Sequence, residues 1–323
     1  MRNLLKNNRK ILTINASNQN RPMKSNQNNL WQAAIKWPLY SVAVMPLCIS
    51  AGWTIFQVNV VRIDQFFIFF VAAIFLLIWE NLTNDLFDSE TGVDEFKFHS
   101  VVSLLGGRQL VRKLSSVALF IGILLILVLA LKSNIQVLFI VLFCCLLGYL
   151  YQGPPFRLGY HGMGEPLCWL AFGPFATAAS LIAISPINYF NNIIPWSTAL
   201  LISSGPALAT TLVLFCSHFH QTIQDSLHGK KTSLVLLGTE KASKLIPYII
   251  FLVIFLELLP IFFGAFPPAS LLVLISLPSG LSLIKLLRNY HNQPDMIAGS
   301  KFLALKFQTI NGLMLTTSFI LSN

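Results

Sequence analysis

The sequence predicts an all-α protein that crosses a membrane about nine times. Composition is the first reason: 55% of the 323 residues are hydrophobic, 11% are charged, and the mean hydropathy is +0.69. Soluble domains carry about 25% charged residues. The second reason is a set of nine apolar stretches, at 38–58, 65–84, 115–131, 135–151, 165–184, 196–217, 246–265, 269–287 and 305–321. Each approaches the ~20 residues a helix needs to cross a ~30 Å hydrocarbon core. Charge is the third. With nine spans, the N-terminus and the even-numbered loops share one face, which takes 20 of the 22 Lys and Arg, all six His and ten of the twelve acids. Positive charge collects on the cytoplasmic side. The N-terminus is therefore expected in the cytosol or its equivalent, and the C-terminus outside. Closed barrels also satisfy the backbone in lipid, but runs such as 119–131 lack the alternation of a strand. Topology accounts for the net charge of +10, and no nucleic-acid partner is expected.

Taken in order, residues 1–30 are rich in Asn, Lys and Arg with no apolar run. They read as a polar tail rather than a secretory signal, with one transmembrane domain over 31–323. A basic arm touching anionic lipid is the other reading of the tail. Lys36-Trp37-Pro38 opens the first span. Trp37 suits the interface, and Lys36 either snorkels or reaches an anion.

The second span ends in Asn81-Leu-Thr-Asn84-Asp85-Leu-Phe-Asp88, with Glu90, Asp94 and Glu95 beyond. On a helix, Asn81, Asn84, Asp85 and Asp88 fall at i, i+3, i+4 and i+7, one face. Carboxylates so close repel unless a cation sits among them. Oxygen-only donors suit Mg²⁺, which takes one or two carboxylates plus phosphate oxygens of a substrate. The alternative is an acidic helix end solvated in cytosol.

The fourth span closes on Tyr149-Leu-Tyr151-Gln-Gly-Pro-Pro-Phe-Arg157-Leu-Gly-Tyr160. Gly-Pro-Pro breaks the helix. Arg157, the one basic residue of this loop, offers a fork shaped for diphosphate. The sixth span ends in Cys216-Ser-His218-Phe-His220-Gln221-Thr-Ile-Gln-Asp225, with Gly229-Lys230-Lys231 following. His218, Gln221 and Asp225 stand at i, i+3 and i+7. Lys230 and Lys231 suit diphosphate oxygens, or serve topology alone. Ser100-Val-Val-Ser-Leu-Leu-Gly106 and Ser233-Leu-Val-Leu-Leu-Gly238 echo one another four spans apart, which hints at an internal repeat. Glu257, inside the seventh span, is either functional or a hydrogen-bonded structural group. The five cysteines all fall within spans, without metal spacing, and read as small core residues.

Asn84-Asp-Leu-Phe-Asp88 with Asp94, the Tyr151–Tyr160 loop, and Gly229-Lys-Lys-Thr-Ser233 together resemble the UbiA superfamily of intramembrane prenyltransferases, over about 31–321. The stretch from Asn84 to Asp94 and Cys216-Ser-His-Phe-His-Gln221 are most similar to its phytyltransferase branch. That branch acts on 1,4-dihydroxy-2-naphthoate in phylloquinone and menaquinone synthesis.

The resemblance implies a helical bundle around a central cavity open to the cytosolic face. It implies Mg²⁺ bridging phytyl diphosphate to two motifs, with Asn84, Asp88 and Asp94 in the first and Asp225 in the second. Asp85 joins the metal set by its place on the stripe. His218, His220 and Gln221 stand where the broad family has Asn, Arg and Asp, so the second motif keeps Asp225 alone. Arg157, Lys230, Lys231 and Lys36 are expected on the diphosphate. Tyr149 or Tyr151 is expected to face the allylic cation, and His218 and Gln221 the acceptor or the second motif. The reaction expected is decarboxylating prenylation, with Asp88, Tyr149, Tyr151 and Arg157 as catalytic residues. Homogentisate and 4-hydroxybenzoate are alternative acceptors, and a transporter is the rival class. The bilayer expected is the inner or thylakoid membrane.

Overall fold

A computed structural model describes residues 39–93 and 100–323. Lys36, Asp94 and the polar tail lie outside the described residues. Among those described, every regular element is helical and none is a strand.

Seven segments are long and apolar enough to cross a membrane. In chain order the helices are α1 (Tyr40–Val58), α2 (Ile63–Thr91), the short α3 (Val101–Leu104) and α4 (Arg108–Lys132). Next come α5 (Gln136–Gln152), the bent α6 (Gly164–Ile184) and α7 (Trp196–Ser217), which runs on through a turn into α8 (Thr222–Leu227). The last are the short α9 (Ser233–Leu237), α10 (Thr239–Phe262), α11 (Leu277–Tyr290), led in by a 3₁₀ segment at Pro268–Ser276, and α12 (Ser300–Leu321). The seven are α1, α2, α4, α6, the α7–α8 run, α10, and α11 with its lead-in. α5 is apolar but shorter. α12 has 22 residues and carries Lys301, Lys306, Gln308 and Asn311.

Outward side chains are apolar, as a lipid solvent requires. Phe120, Leu131, Phe139, Phe251 and Phe262 all lie exposed on the bundle's flanks. Helix contacts rely on small residues where backbones approach. A Cβ on Gly52 of α1 would sit 2.7 Å from the Thr316 carbonyl of α12. Glu257 of α10 is buried and accepts a hydrogen bond from Asn311 Nδ2 of α12 at 2.7 Å. It takes no part in lining the cavities.

Charge separates along the bundle. One end holds Arg62, Asp64 and Lys132, with Lys132 Nζ 3.8 Å from Asp64. The other end holds the loops with Asp88, Arg157, His218 and Lys230. There α3 and α9 echo each other in structure as in sequence: both are short helices, each followed by a positive-φ glycine (Gly106 at +74°, Gly238 at +78°) before a long helix begins.

Two departures from ideal helix shape the interior. In α6, Ala171–Phe175 forms a π-turn around Pro174, with Gly173 outside helical geometry. Such turns are frequent at functional sites, and Ala171 and Phe172 line the cavity. The end of α7 tightens into a 3₁₀ turn at Phe219–Gln221 before α8 restarts. The i, i+3, i+7 stripe expected of His218, Gln221 and Asp225 assumed unbroken α-helix. The tighter turn rotates α8, so His218 and Gln221 face the cavity while Asp225 does not.

Candidate active site

A cavity of about 210 Å³ opens among α1, α2, α5, α6, α7 and α12 at the basic end. α2 supplies one wall because Leu77, Asn81, Asn84 and Asp88 recur at i, i+4, i+7 and i+11. Asp85 sits at the edge of that face. It is buried, and its carboxylate accepts from the Val101 amide of α3 at 3.5 Å, outside the cavity lining.

Asp88 is the hub. Its two oxygens lie 3.4 and 3.3 Å from Lys230 Nζ, and both side chains are 6% exposed. Tyr160 donates its hydroxyl to Asp88 Oδ1 at 2.9 Å, and that hydroxyl also pairs with Thr91 at 2.8 Å. Lys230 and Arg157 both approach the Tyr160 ring, at 5.1 and 5.7 Å from its centroid. Burial pushes the Tyr160 phenol above its ordinary range, and the Asp88 charge pushes it further. The phenol therefore stays protonated and donates. The turn from α2 into this cluster closes on Gly92 at φ +80°, a conformation glycine adopts without strain.

Arg157 lies at the rim, 3.9 Å from Glu90, its side chain about a quarter exposed. Lys231 is exposed and its backbone amide donates to the Tyr160 carbonyl. Neither lines the cavity. Tyr149 points away, donating to the Pro154 carbonyl at 2.7 Å, with its ring edge-on to Phe87. Tyr151 does line the cavity. Two glycines seat its ring: a Cβ on Gly159 or Gly164 would lie 2.6 or 2.8 Å from Tyr151 Cε2.

The far wall carries His218 and Gln221. His218 is 4% exposed, its Nδ1 lies 3.8 Å from Glu165 Oε1, and Ser233 donates to Glu165 Oε2 at 2.5 Å. Tyr160, Glu165, Glu80, Gln152 and Lys301 are missing from the sequence-derived set. Tyr160 and Gln152 stand in a motif already singled out. Lys301, on α12, carries no sequence signal that ties it to the site.

The residues present fit a magnesium ion that arrives with phosphate. Asn84 and Asp88 give hard oxygen donors one turn apart on the cavity face of α2. Among the described residues no three His, Cys, Asp or Glu groups converge into a preformed cage. A carboxylate or two plus substrate phosphate is the usual Mg²⁺ arrangement. Asp225 is fully buried below the lining.

Comparison with known proteins decides the family. The profile of the UbiA prenyltransferase family matches residues 39–307. The 2-carboxy-1,4-naphthoquinone phytyltransferase of Synechocystis is 36% identical over 90% of this chain and 92% of its own length. The chain belongs to the UbiA prenyltransferase family. A second relative of this UbiA prenyltransferase is the chloroplastic 2-carboxy-1,4-naphthoquinone phytyltransferase of Arabidopsis thaliana, 33% identical over 91% of this chain and 77% of that one. In fold, the UbiA member resembles a UbiA homolog from Archaeoglobus fulgidus solved with GPP and Mg²⁺. The TM-score is 0.54 at 13% identity, covering 89% of this chain and 99% of that one. As a UbiA member the protein is an integral membrane prenyltransferase.

Proposed function

We propose that this prenyltransferase transfers a phytyl group from its diphosphate to 1,4-dihydroxy-2-naphthoate, with loss of the carboxylate as CO₂ and dependence on Mg²⁺. The carrying observation is the cavity: Asp88, Lys230 and Asn84 cluster at its mouth, and Leu77, Leu147, Leu167 and Phe172 stand in the walls beyond. The phytyltransferase activity of the two naphthoquinone relatives supports the choice of donor and acceptor. A quinone ring is electron-poor, so the nucleophile is its reduced, dihydroxy form. Nine crossings with the N-terminus in the cytosol or stroma agree with the charge pattern and put the mouth on that side, in an inner or thylakoid membrane.

Mg²⁺ held by Asn84, Asp88 and the diphosphate would supply Lewis-acid stabilisation of charge on the leaving group. Asp94 and Asp225 are the further acids the family pattern offers it. Lys230 neutralises diphosphate oxygens from inside the mouth, Arg157 and Lys231 draw the anion from the rim, and Lys36 is the further cation the sequence offers it. Tyr160 fixes the Asp88 carboxylate by its hydrogen bond. The Tyr151 ring, locked between Gly159 and Gly164, presents a π-face to the allylic cation. His218, held by Glu165, and Gln221 flank the acceptor. Leu77, Leu147, Leu167 and Phe172 keep water from the cation.

Purified protein supplied with phytyl diphosphate, reduced acceptor and Mg²⁺ should release the decarboxylated phytyl product, and EDTA should abolish turnover. Faster consumption of homogentisate or 4-hydroxybenzoate on the same preparation overturns the acceptor assignment.

A further inference from the structure

We propose that Glu80, with Gln152 and Asn81 beside it, forms the subsite that binds the aromatic acceptor, Glu80 accepting a hydrogen bond from a ring hydroxyl. This rests on the acceptor class proposed above. Glu80 lies eight residues before Asp88 on α2, about 12 Å deeper at 1.5 Å per residue. There the main cavity meets a second one of about 90 Å³, and Leu77, Glu80, Gly148, Ala171 and Phe172 line both. Among the residues lining the second cavity, Glu80 alone carries a carboxylate or an ammonium-type charge.

No group in the described residues hydrogen-bonds the Glu80 carboxylate. Gly148 leaves it uncovered: even a methyl group there would touch it, at 3.8 Å from Cδ and 3.9 Å from Oε1. A polar group left without a partner in apolar surroundings is costly, and such groups in native proteins call for an explanation by ligand, ion or water. Two more stand beside it. Gln152 is 2% exposed and donates Nε2 to the Glu80 backbone carbonyl at 3.1 Å, which leaves its Oε1 without a partner. Asn81 Nδ2 is likewise buried and unpaired.

The prenyl donor explains neither Glu80 nor the Gln152 oxygen. Its tail has no polar atom, and its diphosphate is an anion that a carboxylate repels. A flat ring with hydroxyl donors and acceptor oxygens matches them: a carboxylate and an amide oxygen for hydroxyls, an amide N–H for an oxygen. The hydrogen bond to Glu80 also aids the chemistry. It pushes electron density onto the ring carbon next to the hydroxyl. That carbon bonds the allylic carbon as the C–O bond to diphosphate breaks. The bond to the carboxyl group then breaks, CO₂ leaves, and its electron pair restores the aromatic ring. The hydroxyl keeps its proton throughout.

The test is steady-state kinetics on the full-length protein with both substrates varied, together with Mg²⁺-dependent binding of phytyl diphosphate as a check of the fold. A lost hydrogen bond to a charged group predicts that Glu80→Gln lowers kcat/KM for the acceptor about tenfold to a hundredfold, with the KM for phytyl diphosphate unchanged within about twofold. Gln152→Leu should weaken the acceptor by about two- to tenfold with the same selectivity. A kcat/KM for the acceptor that does not fall, or a KM for phytyl diphosphate that moves along with it, overturns the proposal; the first outcome assigns Glu80 to bound water. If Glu80→Gln does not fold, Glu80→Asp gives the same reading through the ratio of the two KM values. Wild-type protein that prenylates no dihydroxynaphthoate overturns the acceptor class itself, and the Glu80 role with it.

Discussion

Asp88 is bound to its neighbours by charge and by hydrogen bond at once, and the two can be separated. Asp88→Asn leaves Lys230 buried opposite a neutral amide, and breaking one side of a buried pair destabilises by roughly 3–5 kcal/mol. The double variant Asp88→Asn/Lys230→Met should recover much of the melting temperature but not the turnover, which should stay down at least about a hundredfold. Recovery of both would assign the pair to stability alone. Tyr160→Phe removes the donor to Asp88 and should lower turnover by up to about tenfold. It should not move the limbs of the pH–rate profile below about pH 10, because burial and the Asp88 charge hold that phenol protonated. The linkage has a sign. The folded phenol titrates above its unfolded value of about 10, so the stability it lends is intact below pH 10 and is lost as pH rises beyond. Wild-type melting temperature should fall in that range more steeply than that of Tyr160→Phe.

Helix ends, rather than helix bodies, determine which motif residues reach the cavity. The α2 stripe was legible because a regular helix repeats its face, and Asn84 and Asp88 line the cavity as the spacing implies. Asp85, one residue from Asn84, turns with the same regularity toward α3. Asp225 leaves the face it was expected to share with His218 and Gln221 because α7 tightens at Phe219–Gln221, a turn of which the sequence gives no warning. Tyr149 and Tyr151, two residues apart, fall on different sides of α5, and only the fold shows which faces inward. The Tyr151 ring depends on two glycines, one in the loop after α5 and one at the start of α6. Gly164→Ala would bring a methyl group to 2.8 Å from that ring, and overpacking of this kind costs about 1–3 kcal/mol. Melting temperature and turnover should both fall, while Gly299→Ala, which meets nothing within 4 Å, should leave both unchanged. Equal behaviour of the two variants would mean that the Tyr151 seat is not rigid.

Across the whole molecule, the membrane class was plain from composition, since lipid allows few other ways to hide so much apolar surface. The partners of Asp88 were less plain. Tyr160 and Lys230 lie 72 and 142 residues away, and only packing brings them together. Orientation is open to direct labelling. On a background lacking native cysteines, Lys231→Cys should react with an impermeant maleimide from the cytosolic side and Asn188→Cys from the opposite side. The reverse pattern would invert the proposed topology. The graded wall of α2, from Asp88 at the mouth to Glu80 beside an apolar chamber, also bears on the fate of the two products other than CO₂. One is a polyanion formed at the end nearest water. The other is a hydrocarbon-tailed ring that has just shed its own carboxylate, formed nearest lipid. Each is left beside the solvent that dissolves it. They part by partition, in opposite directions, and the reverse reaction, which also needs the departed CO₂, is starved because these reactants no longer share a phase.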